Sequence, residues 1–365
     1  MKEKIKVYLQ YPWKFPDSPY YKYLIDCHPE GIEFQNTKKQ KGVIINKRFF
    51  WFSNFLKRNI RKWTNNLSLE IPNAHLSPKG DYDLIHCCHC LSKNTDKPWI
   101  ADIEMISSFA VSKWDTVEGQ EKVKKILLDK NCKKIMPWTE HIKKEILKIY
   151  PEIKEKIEVI YPAVPIIKNL KKPKNKKLKI IFIARSFDIK GGPIALEVLD
   201  QLRQKYDIEG IIVSNVPKKL KVKYPNLKIY NLIPQEELFK LMEKSDLFLY
   251  PSSVDTFGFS LLEAMAFGLP IITINTNYTM SRKEIIKHNK TGLIFDIKEK
   301  VNYRKISRIN NKAIALMFEG CSKLIENNSL RKKMSKECIK TIKEGKFSIT
   351  ERDIKLKRIY KEVLK

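Results

Sequence analysis

The sequence predicts an α/β protein built from two parallel, helix-covered sheets that face each other across a cleft. Three observations support this. Short apolar runs such as Leu84–Cys88, Trp99–Ile103 and Leu247–Tyr250 alternate with segments of helical period. Such alternation builds parallel sheets through crossover helices. The length of 365 residues suits two domains of roughly 100–200 residues each. Between 165 and 178 the pattern stops, and a lysine-rich stretch with two prolines takes its place, which reads as a linker.

The first domain accordingly takes residues 1–165, the linker 166–178, the second domain 179–348 and a final helix 349–365. In the first domain Ile5–Leu9, Leu84–Cys88, Trp99–Ile103, Lys134–Met136 and Val159–Tyr161 read as strands. Residues 49–63, Asp115–Asp129 and Thr139–Ile149 read as helices, the last with Thr139 as its N-cap. In the second domain the strands are Lys179–Ala184, Gly210–Val213, Lys228–Leu232, Leu247–Tyr250, Ile271–Ile274 and Leu293–Phe295. The helices are Pro193–Lys205, with proline near its first turn, Gln235–Lys244, Ser260–Phe267 and the residues around Ala313–Ile325. A last helix follows over Thr350–Leu364. Ligands of such folds bind at the carboxyl ends of the strands.

Lysine and arginine number 71 against 41 acids, a formal net charge of +30. The excess favours anionic partners without choosing among phosphates, nucleic acid and an anionic membrane. No run of about 18 apolar residues predicts a transmembrane helix, and the first ten residues read as a strand rather than a signal peptide. The seven cysteines have no framework spacing and read as reduced thiols of a cytoplasmic protein. His86-Cys87-Cys88-His89-Cys90 has the letters of a metal tract but lies on an apolar strand. Strand side chains alternate between faces, so the five cannot converge on one ion. His86 and His89, at the strand's end, are the two that can face a cleft.

Two segments carry chemistry. Residues 250–270 place Asp255 and Glu263 eight positions apart, with Gly258-Phe259-Ser260 opening a helix between them. A helix N-terminus offers unpaired N–H groups to an anion, and carboxylates accept hydrogen bonds from sugar hydroxyls. A nucleotide sugar has both features. The plain alternative is a loop acid and a solvated helix acid. The second segment is the strand 179–184 followed by Arg185, Lys190, Gly191, Gly192 and a helix. Arginine grips phosphate bidentately, lysine adds a point charge, and glycine lets backbone approach a ligand. The segment matches neither a P-loop nor a Gly-x-Gly-x-x-Gly turn. Lys190 alone would read as a surface turn.

Together these segments resemble the retaining, nucleotide-sugar-dependent glycosyltransferases of family 4, with the GT-B fold. Ala184-Arg185 to Lys190-Gly191 is similar to the family's Gly-Arg-x4-Lys-Gly loop. Pro251 through Pro270 is similar to its Pro-Ser-x-x-Glu-x-Phe-Gly-x4-Glu-Ala-Met-Ala-x-Gly-x-Pro segment. Glu284-Ile-Ile, Gly292-Leu-Ile, Phe347-Ser348 and Ile359-Tyr360 match later stretches. The likeness is specific over 179–295 and weak before 130. It implies a C-terminal helix that returns to the N-terminal domain. It implies Arg185 and Lys190 on the donor diphosphate and Glu263 on the ribose. Asp255, Phe257, Gly258, Phe259 and Ser260 would hold the transferred sugar and distal phosphate, and Pro234 would lie near the base. The family has glutamate where this chain has the shorter Asp255.

The N-terminal half departs further. Glu104 stands where the family has a histidine near the reacting sugar, after Pro98-Trp-Ile-Ala-Asp102-Ile. It reads either as an acceptor-orienting acid or as a strand-end cap. The aromatic, basic stretch Tyr11–Tyr21 replaces a glycine-rich loop and would offer rings for sugar stacking. In 48–63, Phe49, Phe52, Leu56, Ile60 and Trp63 form one helical stripe, flanked by Arg48, Lys57, Arg58, Arg61 and Lys62. This fits either an interfacial helix at the inner face of an anionic membrane or an amphipathic helix packed on its own sheet.

The expected reaction is retaining transfer from a nucleoside-diphosphate sugar to a glycan, lipid-linked or small-molecule acceptor. No cofactor or metal is required, since Asp81-Tyr-Asp83 lies away from any phosphate site. A sugar-nucleotide epimerase or phosphorylase on the same fold is an alternative. A non-catalytic basic module for membrane or nucleic acid is another, although no nucleic-acid motif is visible and none is expected as a partner.

Overall fold

The structure is a computed structural model. It describes residues 4–12, 18–37, 47–67, 69–167, 170, 172–173, 176–298 and 311–365. Of the aromatic stretch after the first strand, Trp13, Lys14, Phe15, Pro16 and Asp17 lie outside the described residues.

The apolar runs of the sequence become strands. The first unit holds Met1–Ala163 and Ile349–Lys365, the second Val164–Ser348. Its elements begin with β1 (Ile5–Gln10), α1 (Pro19–Asp26), β2 (Ile32–Gln35), α2 (Lys47–Asn66) and β3 (Ala74–Leu76). There follow β4 (Leu84–Cys88), β5 (Leu91–Lys93), β6 (Trp99–Ile103), α3 (Val117–Leu127), β7 (Cys132–Pro137) and α4 (Glu140–Ile149). The sheet runs β2-β1-β4-β6-β7, all parallel, with Val7 opposite Leu84 and Ile85 opposite Trp99. Both central strands, β4 and β6, are buried throughout, as a sheet covered on both faces requires. Thr139 caps α4 by accepting from the Ile142 amide at 3.2 Å.

The second unit comprises β8 (Leu178–Ile183), α5 (Gly192–Lys205), β9 (Ile208–Val213), α6 (Lys218–Lys223) and β10 (Lys228–Tyr230). It continues with α7 (Gln235–Glu243), β11 (Leu247–Tyr250), α8 (Phe259–Ala266), β12 (Ile271–Asn275), α9 (Arg282–Ile285) and β13 (Gly292–Asp296). Two long helices, α10 (Asn311–Glu326) and α11 (Asn328–Glu344), complete it. The sheet runs β10-β9-β8-β11-β12-β13. Chain order climbs outward from β8 on one side and from β11 on the other, so the order reverses between these two strands. That reversal is where doubly wound sheets bind ligands.

The last helix, α12 (Ile349–Val363), belongs to the first unit. Its Tyr360, fully buried, bonds His86 Nδ1 at 2.8 Å, and His86 Nε2 bonds Asp102 Oδ2 at 2.7 Å. The carboxylate accepts from Nε2–H, leaving Nδ1 to accept from the Tyr360 hydroxyl. Tyr20 of α1 reaches the other Asp102 oxygen at 3.3 Å. Arg352 of α12, also buried, donates to the Tyr23 and Cys27 carbonyls. The final helix is thus tied to β4, β6 and α1 by buried polar bonds.

Several expectations are corrected. Val159–Tyr161 is not a strand; the segment meets β7 through a bridge between Ile157 and Ile135 and a bond from the Ile160 amide to the Pro137 carbonyl at 3.1 Å. Tyr20 and Tyr21 offer no stacking surface, because they are core residues of α1 at 0% and 1% exposure. His86 faces no cleft, since its partners enclose it. The helix α2 does not bury its stripe in a sheet: Trp51, Phe52, Phe55, Leu56, Ile60 and Trp63 are all exposed, Trp63 at 66%. The side chains of Phe49 and Arg61 lie outside the described ones. All seven cysteines are free.

Tyr360→Phe should cost about 1–3 kcal/mol by leaving a buried imidazole nitrogen unpaired. Urea unfolding at neutral pH measures it, and an unchanged midpoint would refute the tie between α12 and β4.

Candidate functional site

The loops leaving β8 and β11 lie side by side because the two strands pair in parallel, Leu247 opposite Ile180. Glycine sets how close they come. Gly191, at φ +78°, opens α5, and a Cβ there would lie 2.3 Å from the Pro251 carbonyl oxygen. Only glycine permits both that backbone and that approach. Gly258, at φ +102°, opens α8, and a Cβ there would sit 3.1 Å from Asp255 Oδ2. Chain and carboxylate therefore meet at the start of a helix.

Lys190 crosses from the first loop to the second. Its ammonium donates to Asp255 Oδ1 at 2.8 Å and to the Val254 carbonyl at 3.1 Å. The Tyr250 hydroxyl donates to Asp255 Oδ2 at 2.7 Å, and Arg282 Nη2 lies 3.6 Å from the same oxygen. Arg282 also stacks over the Tyr250 ring, 5.2 Å from its centroid. The Asp255 side chain is 8% exposed, Arg282 1% and Lys190 26%. Only the lysine end of the cluster reaches solvent appreciably.

The charges respond to this packing. Burial pushes the Asp255 carboxyl up, but Lys190 and Arg282 outweigh it and hold the group below the usual carboxylate range. Burial pushes Lys190 down, while Tyr250 and Asp255 more than restore it, so it stays cationic. Burial lowers Arg282 and raises the Tyr250 phenol. At neutral pH the cluster holds two cations and one carboxylate.

The remaining second-unit residues surround it. Arg185, half-buried, stands two residues beyond β8. Phe257 is buried, with its ring 5.2 Å from that of Phe259 and 6.4 Å from that of Phe347. Phe259 and Ser260 form the first turn of α8. Glu263, one turn on and half-buried, lies 3.4 Å from the Gln235 amide, which follows Pro234 at the start of α7. The structure thus joins Lys190 to Asp255 directly, and Glu263 to the Pro234 turn through Gln235.

Residues 165–340 match the family model described as glycosyl transferases group 1. The second unit is a group 1 glycosyl transferase domain. Among curated relatives, the amylovoran biosynthesis glycosyltransferase AmsK of Erwinia amylovora is 28% identical over 133 residues, 32% of each chain. The chain spans about a third to a half of the length of the first curated relatives it matches. A glycosyltransferase from Rickettsia africae ESF-5 superposes over 100% of both chains with a TM-score of 0.65 at 16% identity. The pneumococcal O-GlcNAc transferase GtfA, solved with UDP and GlcNAc, covers 84% of this chain and 60% of its own, with a TM-score of 0.55 at 15% identity. The fold is GT-B.

Glu104 lies outside the group 1 domain, just past β6 in the first unit. Its carboxylate is 3.9 Å from His89 Nε2. His89 sits at φ +58°, with its ring wedged against those of Tyr21 at 5.2 Å and Trp138 at 4.7 Å. Neither ring nitrogen has a hydrogen-bond partner among the described residues. Burial pushes His89 below the ordinary histidine range, and Glu104 offsets only part of that.

Three residues of this candidate site carry little signal in the sequence. Tyr250 looked like the end of an apolar strand and Gln235 like an ordinary first-turn residue. Arg282 is one cation among 71. Its only signal was a place at the start of a short helix after β12.

Below pH 6.5 an unfolded His89 binds a proton that the buried imidazole resists, so falling pH should favour unfolding. His89→Asn tolerates the left-handed backbone and cannot titrate. Its melting temperature should fall less than that of the wild type between pH 7.5 and 5.5. Equal slopes would show that the imidazole is not held neutral.

Proposed function

We propose that the chain is a glycosyltransferase that moves a sugar from a nucleoside-diphosphate donor to a hydroxyl acceptor with retention of configuration. The observation that carries this reading is the Lys190–Asp255 pair, held by glycine-dictated loops at the reversal of a parallel sheet. The membership of the second unit in the group 1 family supports it, as does a neighbour in the GT-B fold solved with UDP. A leaving diphosphate develops negative charge. Arg185, Lys190 and the amides at the start of α8 supply donors for it. This chemistry needs no metal or cofactor. Glu263, steadied by Gln235, receives the ribose hydroxyls, with Pro234 beside the base. Asp255 and the backbone at Phe257, Gly258, Phe259 and Ser260 hold the transferred sugar. Glu104, with His89 behind it, orients the acceptor hydroxyl.

A thermal-shift screen of UDP-, GDP-, ADP- and CDP-sugars identifies the donor by mass-action stabilisation. With that donor, Lys190→Ala and Glu263→Ala should each lower kcat/KM by about tenfold or more. Turnover equal to the wild type in both variants would overturn the assignment.

A second observation bears on where the acceptor lies. Along α2, exposed Trp51, Phe52, Phe55, Leu56, Ile60 and Trp63 share the surface with exposed Arg48, Arg58 and Lys62. A bare aromatic stripe beside cations suits the boundary of an anionic bilayer, where indole rings settle at headgroup depth. Among the described residues no helix is long and apolar enough to cross a membrane. We therefore place the protein peripherally on anionic lipid, with a lipid-linked glycan acceptor. It should sediment with vesicles containing phosphatidylglycerol and not with pure phosphatidylcholine, and Trp51→Ser/Trp63→Ser should abolish that. Sedimentation that ignores the double substitution would rule α2 out as the contact.

A further inference from the structure

Arg282 is a buried guanidinium with more donors than its surroundings use. Its Nη1 is anchored, donating to the Ser252 carbonyl at 2.8 Å, to the Thr273 hydroxyl at 3.2 Å and to the Ile274 carbonyl. Its Nε and Nη2 have no hydrogen-bond partner among the described residues, although the side chain is 1% exposed. Leaving two such donors unbonded is costly, so the arrangement calls for an explanation. The nearest anion is Asp255 Oδ2 at 3.6 Å, already bonded by Tyr250.

The partners of Asp255 differ in freedom. Arg282 is clamped by three oxygen acceptors and cannot leave. Lys190 is a flexible stem, and its side chain is the most exposed of the cluster. A phosphate arriving there competes with Asp255 for the ammonium. If Lys190 were the only counter-charge, that transfer would strand a buried carboxylate, which is strongly unfavourable. Arg282 removes this obstacle.

We propose that Arg282 is a positioning residue that takes over the charge of Asp255 when a donor diphosphate draws Lys190 away. In the free protein Asp255 holds Lys190 through Oδ1 and is only loosely approached by Arg282. When Lys190 turns to the phosphate, Oδ1 is released toward the sugar, while Oδ2 stays with Tyr250 and closes on the unbonded Nη2. The inference rests on the proposed donor site and deepens it, because it makes phosphate binding and exposure of Asp255 to the sugar one exchange.

The test is calorimetric titration of inorganic pyrophosphate and of UDP at neutral pH into wild type, R282Q, R282K and D255N/R282Q, each checked for folding by circular dichroism. R282Q should bind both probes about tenfold or more weakly, as expected when a coupling partner is removed. R282K, which keeps the charge, should recover part of that loss. D255N/R282Q should bind pyrophosphate within about threefold of wild type, because no carboxylate then competes for Lys190. A merely structural arginine would not be rescued by Asp255→Asn. Should R282Q not fold, R282K and the charge-free double variant still decide the matter. Equal affinity of R282Q and wild type overturns the inference and leaves the glycosyltransferase reading standing. Weakening without recovery in the double variant also overturns the inference alone. Failure of the wild type to bind either probe overturns both.

Discussion

A carboxylate taken out of water must be neutralised where it stands, and in the second unit that carboxylate is Asp255. Its burial would push it toward the neutral acid, so the protein sets two cations and a phenol around it. Those partners come from separate elements: Lys190 from the loop after β8, Tyr250 from the end of β11, and Arg282 from α9 beyond β12. One charge therefore fixes three chain segments against each other. Breaking such a cluster by removing one member leaves a buried ion, which costs far more than a surface pair contributes. The loops at the sheet reversal are joined by charge as much as by packing.

Backbone shape makes this clustering possible. A side chain at Gly191 would strike Pro251, and one at Gly258 would press on Asp255 itself. Without those two glycines the loops would separate by the width of a methyl group, and Lys190 would no longer span them. Apolar burial beneath the loops, from Phe182 and Ile194 to Leu249 and Ile272, then holds β8, α5, β11 and β12 in register. Packing places the strands, glycine brings their loops together, and charge locks the result.

The parts of the fold legible in the sequence were those governed by local burial. Leu84–Cys88, Trp99–Ile103 and Leu247–Tyr250 are strands with the expected bounds because a fully covered parallel strand is apolar at every position. Elements that depend on distant partners were not legible. Pro19–Asp26 is a helix whose tyrosines are core, though their spacing imitates an exposed aromatic loop. Asn328–Glu344 is a helix whose buried residues Met334, Cys338 and Ile342 keep helical spacing, but so few apolar positions among so many lysines form only a thin stripe. In the site, Asp255, Glu263 and Lys190 stood out through their glycines and their spacing. Arg282 could not, because burial alone distinguishes it from dozens of solvated cations. The stripe on α2 was legible as a period, but no property of the sequence decided whether something covers it.

The two units share a parallel architecture and treat their buried carboxylates in opposite ways. In the first unit Asp102, His86 and Tyr360 form a chain closed at both ends, each member with no exposure. Both carboxylate oxygens and both imidazole nitrogens have a partner from the same unit. Such a chain can only hold, and what it holds is α12. In the second unit the chain ends on Lys190, the most exposed side chain of the cluster, whose partners include a carboxylate that a second cation already approaches. A network with one mobile member at its open end and one anchored member at its closed end can trade an internal bond for an external one without stranding a charge. The two carboxylates differ less in the acid than in the counter-charges around them, which are all enclosed for Asp102 and include one partly exposed lysine for Asp255.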